Sequence, residues 1–270
     1  MKSELEQRLD FSVEAAKRAG EVTLKYFGKL DPEQRRIKSD GSPVTVADRE
    51  SETLLRELIS QRYPDDAILG EEFEDKPGTS GYKWVIDPID GTISFVQGVP
   101  LYGTMLACLH DDDPILGVIH MPAFDETVWA ATDLGCWHRQ GSTPPVRGAV
   151  SSVTEPAEAI FTTTSLSYFD TPPLRDLYEQ LDGICRYSRG WSDCYAWVLL
   201  ATGRVDAVIE PSLSLWDFAA ALPIIRELGG IWTDLAGNST LEVTQILAAN
   251  PTLHATLLAY CEESLESHRV

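Results

Sequence analysis

Asp87 and Asp90 stand three positions apart in Trp84-Val85-Ile86-Asp87-Pro88-Ile89-Asp90-Gly91-Thr92. A hydrophobic strand delivers Asp87 at its carboxyl end, and Pro88 fixes φ and stiffens the exit, so both carboxylates can point into one volume. Like charges at that range repel and raise one pKa. A divalent cation removes the penalty and turns both into ligands. Mg²⁺ suits such a set because it takes hard oxygen donors while keeping waters and phosphate oxygens. The carbonyl of Ile89, between the two acids, offers a further oxygen. Gly91-Thr92 reads as the start of a helix continuing through Ile93-Ser94-Phe95-Val96, whose free N–H groups favour an anion. Metal ligands followed by an anion seat describe a phosphate site. On these nine residues alone, a plain turn with Asp90 capping the helix is an equal alternative.

Further acids extend the set. Gly70-Glu71-Glu72 ends a predicted strand with two carboxylates, and Trp216-Asp217-Phe218-Ala219-Ala220 puts one Asp at the start of an otherwise apolar helix. Asp48 lies near the beginning of a helix, in Val44-Thr45-Val46-Ala47-Asp48. Each also reads as surface charge or a cap. Asp111-Asp112-Asp113-Pro114 reads as a solvated turn rather than a metal site.

Together, Gly70-Glu71-Glu72, Trp84 to Thr92 and Trp216 to Ala220 resemble the inositol monophosphatase-type, metal-dependent phosphatases in order and spacing. The flanking Asp40 to Asp48 and Gly229-Gly230 fit too, and the likeness runs from about residue 10 to about residue 260. The resemblance implies that Glu71, Asp87, Asp90, Asp217 and the Ile89 carbonyl hold two or three Mg²⁺ ions. It also implies that Glu71 and Thr92 orient an attacking water, with Asp48 accepting a hydrogen bond from the Thr92 hydroxyl. The implied reaction is in-line hydrolysis of a phosphate monoester without a covalent intermediate.

Substrate choice falls to residues away from the metals. Asp193, in Ser188-Arg189-Gly190-Trp191-Ser192-Asp193-Cys194-Tyr195-Ala196, resembles the Asp-Cys-Tyr-Ala of histidinol-phosphate phosphatases, where inositol-specific members carry a small residue. Leu101 to Thr104 and Ala219 to Gly230 are similar to that branch as well. Asp193 and Glu210 would face the ammonium and imidazole of a cationic amino alcohol. The implied substrate-binding set is Gly91, Thr92, Asp193, Glu210 and Arg189, and the implied substrate is L-histidinol phosphate. Alternatives are inositol 1-phosphate or a sugar-alcohol phosphate, or a catalytically inactive metal-binding homologue. Asp193 also reads as a helix cap and Glu210 as a partner of Arg189. Ile93 departs from the polar residue of many relatives, and no basic cluster suggests a second phosphate.

The elements that must hold these residues alternate in type. Apolar spacing predicts helices over Glu4–Phe27, with Gly20 on the apolar stripe, and over Thr45–Arg62, stopped by Pro64. Strands follow at Ala67–Gly70, Lys83–Asp87, Thr104–Leu109, Ile115–His120 and Thr127–Thr132. The Gly-, Ser- and Pro-rich stretch Gly141–Pro156 reads as a joint between an N-terminal lobe, 1–145, and a C-terminal lobe, 146–270. In the second lobe, strands are expected near Ala159–Thr163, Ile184–Ser188, Val205–Glu210 and Gln245–Ala249. Helices are expected near Pro173–Leu181, Ser192–Thr202, Trp216–Leu228 and Thr252–Glu263. The alternation predicts an α/β fold. The resemblance sharpens this to a layered α-β-α-β-α sandwich of the sugar-phosphatase type, and implies a homodimer.

Composition excludes whole classes. The 270 residues carry 22 basic and 42 acidic side chains, a formal charge of −20. That balance opposes nucleic-acid binding and docking on anionic lipid. It does not oppose a small phosphorylated substrate, because metals rather than lysines would bind the phosphate. The five cysteines are widely spaced without a Cys-x-x-Cys pair, which predicts buried thiols rather than a disulfide framework or a zinc site. No signal peptide or membrane-length apolar run is present, so a cytoplasmic protein is expected.

Overall fold

Ser3 starts the first helix, α1 (Glu4–Leu24), by a reciprocal cap: its hydroxyl accepts from the Glu6 amide, and the Glu6 carboxylate accepts from the Ser3 amide at 2.6 Å. The computed structural model describes residues 2–38, 41–191 and 193–266. Asp40, which opens the flanking stretch Asp40 to Asp48, and Ser192, the expected start of a helix, lie outside them, as does Ser39. The helix ends three residues before Phe27, because the amides of Tyr26 and Phe27 both turn back onto the Thr23 carbonyl. Phe27 then packs on Phe95 and Tyr102 instead. Before the second helix, β1 (Arg35–Ile37) and β2 (Pro43–Thr45) pair as a short antiparallel hairpin, leading into α2 (Val46–Arg62).

The first sheet has the order β3-β4-β5-β6-β7-β8-β9. β3 (Ala67–Gly70) runs parallel to β4 (Tyr82–Asp90), which is followed by the short helix α3 (Thr92–Val96). The strands β5 (Gly103–His110), β6 (Asp113–Met121), β7 (Glu126–Ala131), β8 (Gly135–Gln140) and β9 (Val146–Arg147) continue in antiparallel succession. Asp111 and Asp112, with φ of 49° and 63°, form the β5–β6 turn, so the acidic triplet does not converge. The strands β8 and β9 had no sequence expectation, and β9 carries the sheet to Arg147.

The second sheet follows the order β11-β10-β12-β14-β13. It is built from β10 (Ile160–Thr162), α4 (Pro172–Ile184), β11 (Tyr187–Arg189), α5 (Cys194–Ala201), β12 (Ala207–Glu210), α6 (Leu215–Phe218), α7 (Ala221–Glu227), β13 (Ile231–Thr233), β14 (Ile246–Ala249) and α8 (Pro251–Glu266). Three strands are parallel, and β14 is antiparallel to its two neighbours. The helix expected over Trp216–Leu228 is split in two. Pro223 has no N–H for the Ala219 carbonyl and its ring crowds that group, so the chain turns at Ala219-Ala220 and restarts with Pro223 inside the first turn of α7. The strand expected at Ile184–Ser188 begins only at Tyr187, because α4 extends to Ile184 and the Cys185 amide still bonds the Leu181 carbonyl.

Strand alternation divides each sheet into two apolar faces. Trp84, Ile86, Leu106, Cys108 and Val118 pack against Leu9, Ala16 and Ala19 of α1 and Leu55 and Ile59 of α2. Val85, Met105, Ala107 and Ile119 point the other way, onto α5 and α7, which also meet Val208, Ile246 and Ala248 of the second sheet. The far side of that sheet buries Phe161, Ile209 and Leu247 against Leu177 and Leu181 of α4 and Leu253 and Leu257 of α8. Five layers result, helices alternating with sheets. Gly20 lets α1 approach β6: a Cβ there would meet the His120 ring at 2.7 Å and Pro122 at 2.8 Å. All five cysteines are free and buried. Among the described residues no helix is long and apolar enough to cross a membrane.

Candidate active site

The end of β4 is where the first sheet stops being regular. Pro88 has no amide hydrogen for the ladder, and the pairing with β5 shifts register between Asp87 and Asp90. The freed groups are reused locally: the Asp87 carboxylate accepts from the Ile89 amide at 3.0 Å, and the Thr104 hydroxyl donates to the Pro88 carbonyl at 2.9 Å. Gly91 turns the chain into α3 with φ 86° and ψ 38°. A side chain there would be strained, and its Cβ would lie 2.7 Å from the Leu101 carbonyl oxygen and 3.2 Å from Asp193 Oδ2. The cap of α3 is therefore Gly91, not Asp90, which leaves the Asp90 carboxylate for something else.

Asp217 arrives from a distant part of the chain as the third residue of α6. Its Oδ2 accepts from the Ser214 amide at 2.6 Å, so the capping role expected for an isolated Asp is real and still leaves Oδ1. Oxygens of Asp87, Asp90 and Asp217 lie within 4.8 Å of one another. Asp87 and Asp90 are only 2% and 8% exposed. Among the described residues Asp90 Oδ2 is buried without a hydrogen-bond partner. Burial raises both carboxyls well above the usual range, and their neighbours Glu71, Asp193 and Asp217 add to it. Burial likewise pushes Asp217 to about 7. Such a set fits a divalent cation: hard oxygens, one of them orphaned, converging at a cost that a positive charge would remove.

Two other predicted residues lie around this cluster. Glu71, just past β3, sits electrostatically close to Asp87 and Asp90, but its Oε1 takes the Lys38 ammonium at 2.7 Å, and Lys38 also bonds Glu72 at 2.6 Å. Asp48 is buried as the third residue of α2, where its Oδ2 holds the Thr45 amide at 2.8 Å. Its Oδ1 lies 3.3 Å from the Thr92 hydroxyl, which also lies 3.0 Å from the Ile89 carbonyl oxygen. One hydroxyl thus touches the expected positioning acid and an expected ligand oxygen. Ile93 is exposed at the edge of the site.

The residues expected to read the substrate form a second group. Asp193 precedes α5 at φ 53° and ψ −149°, and its side chain makes no capping hydrogen bond, against the cap alternative. That backbone region costs on the order of 1–3 kcal/mol for a residue with a side chain. Its carboxylate is the first charged neighbour of Asp90. Glu210 ends β12, buried, and burial pushes its carboxyl to about 8. Its partners are Thr163 and Thr164, not Arg189. Arg189 serves through its backbone: its carbonyl accepts from the Thr163 amide and the Thr162 hydroxyl, while its guanidinium bonds the Ser188 carbonyl. Inside the fold, Trp197 Nε1 of α5 donates to the Asp217 carbonyl at 3.0 Å, tying the helix behind Asp193 to the third acid. Lys38, Thr163 and Thr164 had no sequence signal, since a lone Lys in a polar loop and threonines at a strand end are ordinary.

The matching of whole sequences decides the lineage. Residues 4–266 match the inositol monophosphatase family. The chain belongs to that family. Among curated proteins, the histidinol-phosphatase of Chlorobaculum parvum is 40% identical over 252 residues, covering 93% of this chain and 95% of that one. The fructose-1,6-bisphosphatase/inositol-1-monophosphatase of Aquifex aeolicus is 29% identical, covering 97% and 98%. A solved structure of a Thermotoga maritima IMPase superposes with a TM-score of 0.85 at 29% identity, over 97% of this chain and 99% of that one. As a member of the inositol monophosphatase family, the chain is a phosphate monoester hydrolase with an α/β fold.

The acid cluster has a measurable consequence. Asp48, Glu72, Asp217 and Glu210 are raised to about 6, 7, 7 and 8 by burial. Their folded values exceed the unfolded ones, so the folded state binds the extra protons and stability falls as pH rises. Metal-stripped protein is expected to lose melting temperature steadily from about pH 4 to about pH 8. Saturating divalent cation should flatten that slope. Thermal melts across this range, with chelator and with cation, check it; a slope unaffected by cation would contradict the cluster's role.

Proposed function

We propose that this phosphatase hydrolyses L-histidinol phosphate, with Mg²⁺ as its metal. The observation that carries the substrate reading is a pair of acidic residues, Asp193 and Glu210, beside the three converging aspartates, with the Thr164 hydroxyl bonded to the Glu210 carboxylate and to the Asp193 backbone amide. A phosphate ester with a cationic alcohol portion matches that charge; a neutral polyol leaves it uncompensated. The 40% likeness to a histidinol-phosphatase, against 29% for the A. aeolicus protein, supports the same choice.

In this reading Glu71, Asp87, Asp90, Asp217 and the Ile89 carbonyl hold two or three ions. Bound Mg²⁺ supplies charge neutralisation of the phosphate and a lowered pKa for water. The chain's own residues do the positioning. Asp48 fixes the Thr92 hydroxyl, which orients the attacking water, and Glu71 accepts its proton once its carboxylate is released from Lys38. Gly91, lacking a side chain, leaves room beside Asp193 Oδ2. Asp193 and Glu210 face the ammonium and imidazole. The site lies between proposed lobes 1–145 and 146–270 of a cytoplasmic enzyme, which we propose to be a homodimer.

A Mg²⁺-dependent phosphate-release panel tests the reading. Histidinol phosphate should show kcat/KM about 10²-fold or more above inositol 1-phosphate. Equal or reversed values would replace the substrate by an inositol or sugar-alcohol phosphate. Absence of Mg²⁺-dependent release from every ester would identify an inactive homologue.

A further inference from the structure

The Thr164 hydroxyl makes two hydrogen bonds to two different elements. It donates to Glu210 Oε1 of β12 at 3.0 Å and accepts from the Asp193 amide, ahead of α5, at 3.2 Å. The Thr164 amide donates to Glu210 Oε2 at 3.0 Å, and the Thr163 hydroxyl reaches the same oxygen at 3.3 Å. Both oxygens of a buried carboxylate are thereby fixed from one short stretch of chain. Asp193, at the far side of that hydroxyl, keeps backbone angles that a residue with a side chain rarely adopts, and such outliers persist only where the surroundings over-determine them.

From this geometry we propose that Thr164 is a positioning residue for substrate specificity. Its hydroxyl sets the separation and orientation of Asp193 and Glu210, so that the two carboxylates act as one preformed seat for a cationic group. The inference rests on the substrate reading above and assigns its precision to a residue outside the expected metal-ligand and substrate-binding sets, bonded to Glu210 and Asp193. A hydroxyl donates to Glu210 and accepts from the Asp193 amide through a single atom. Valine has the same shape and can do neither. Serine can do both. The backbone amide of Thr164 and the Thr163 hydroxyl remain in T164V, so Glu210 keeps two partners while the link to Asp193 is lost. Preorganisation of this kind appears in binding rather than in the chemical step.

Thr164→Val and Thr164→Ser separate this role from simple strand-end packing. In T164V the ratio of kcat/KM between histidinol phosphate and inositol 1-phosphate should fall about tenfold, equivalent to about 1.4 kcal/mol, with the change carried by KM. Hydrogen exchange at the Asp193 amide should quicken by about tenfold. T164S should restore both readings, and T164A gives the same two measurements should T164V not fold. Parallel losses on both substrates, an unchanged Asp193 amide, or a serine variant that fails to recover would overturn the proposal. A wild-type enzyme without preference for histidinol phosphate would sink the substrate reading by itself. Exchange at Asp193 would then still decide whether Thr164 holds that backbone.

Discussion

Asp90→Asn should lower kcat/KM for every phosphate monoester by about 10³-fold or more and still raise the melting temperature of the metal-stripped protein. The two effects have one origin. Asp90 is buried beside Asp87, Asp193 and Asp217, and among the described residues one of its oxygens has no hydrogen-bond partner. A charge in that position is costly unless a cation is present. Asparagine keeps the shape and removes the charge, so the stripped protein gains stability, and the gain should widen as pH rises because the wild-type carboxyl must then ionise. With saturating Mg²⁺ the order should reverse, since the wild type binds the ion more tightly and is stabilised by mass action. Melting curves of both proteins with chelator and with Mg²⁺, beside a phosphate-release assay, give the test. A variant destabilised under both conditions would make Asp90 a structural residue.

Asp193→Gly should cut kcat/KM for histidinol phosphate by about 10²-fold, with a fall of less than about tenfold for inositol 1-phosphate, and should stabilise the fold by about 1 kcal/mol. Selectivity falls because the carboxylate facing a cation is gone while Glu210 remains. Stability rises because φ 53° with ψ −149° is accessible to glycine without strain, a gain partly offset by the greater freedom of glycine in the unfolded chain. Kinetics on the two esters together with a denaturant titration check both halves. Equal losses on the two substrates would assign Asp193 to the architecture alone.

The legible parts of the molecule were those whose signal is local. Asp87, Pro88, Asp90 and Gly91 sit within five residues, so the strand end, the stiff exit and the turn could be read directly. The apolar stripes of α1 and α2 and the Asp111-Asp112 turn were visible for the same reason. Asp217 looked like an ordinary cap, and its hydrogen bond to Ser214 shows that it is one. Its place in the acid cluster depends on α6 meeting β4, distant in the chain, which no local pattern records. The one-residue identities of Lys38 and Thr164 acquire meaning only through partners 33 and 46 positions away. The misplaced boundaries have similar causes. Pro223 split a helix whose apolar spacing ran on without interruption, and β8, β9 and β13 are short strands whose pairing, not their composition, defines them.

The helix α5 has no wet side. From Cys194 to Ala201 every described side chain but that of Tyr195 is buried, wedged between the two sheets, with Trp197 fastened to the backbone of Asp217. It therefore works as a fixed seat: the Cys194 thiol at its N-terminal end bonds the Asp90 carbonyl, and one turn later Trp197 holds that of Asp217. On the proposed role of Asp193, exchanging the residue at its tip retunes which alcohol is accepted, whereas a change along its body shifts the seats of Asp90 and Asp217 together. On that proposal, new specificities in this architecture are easiest to reach at position 193.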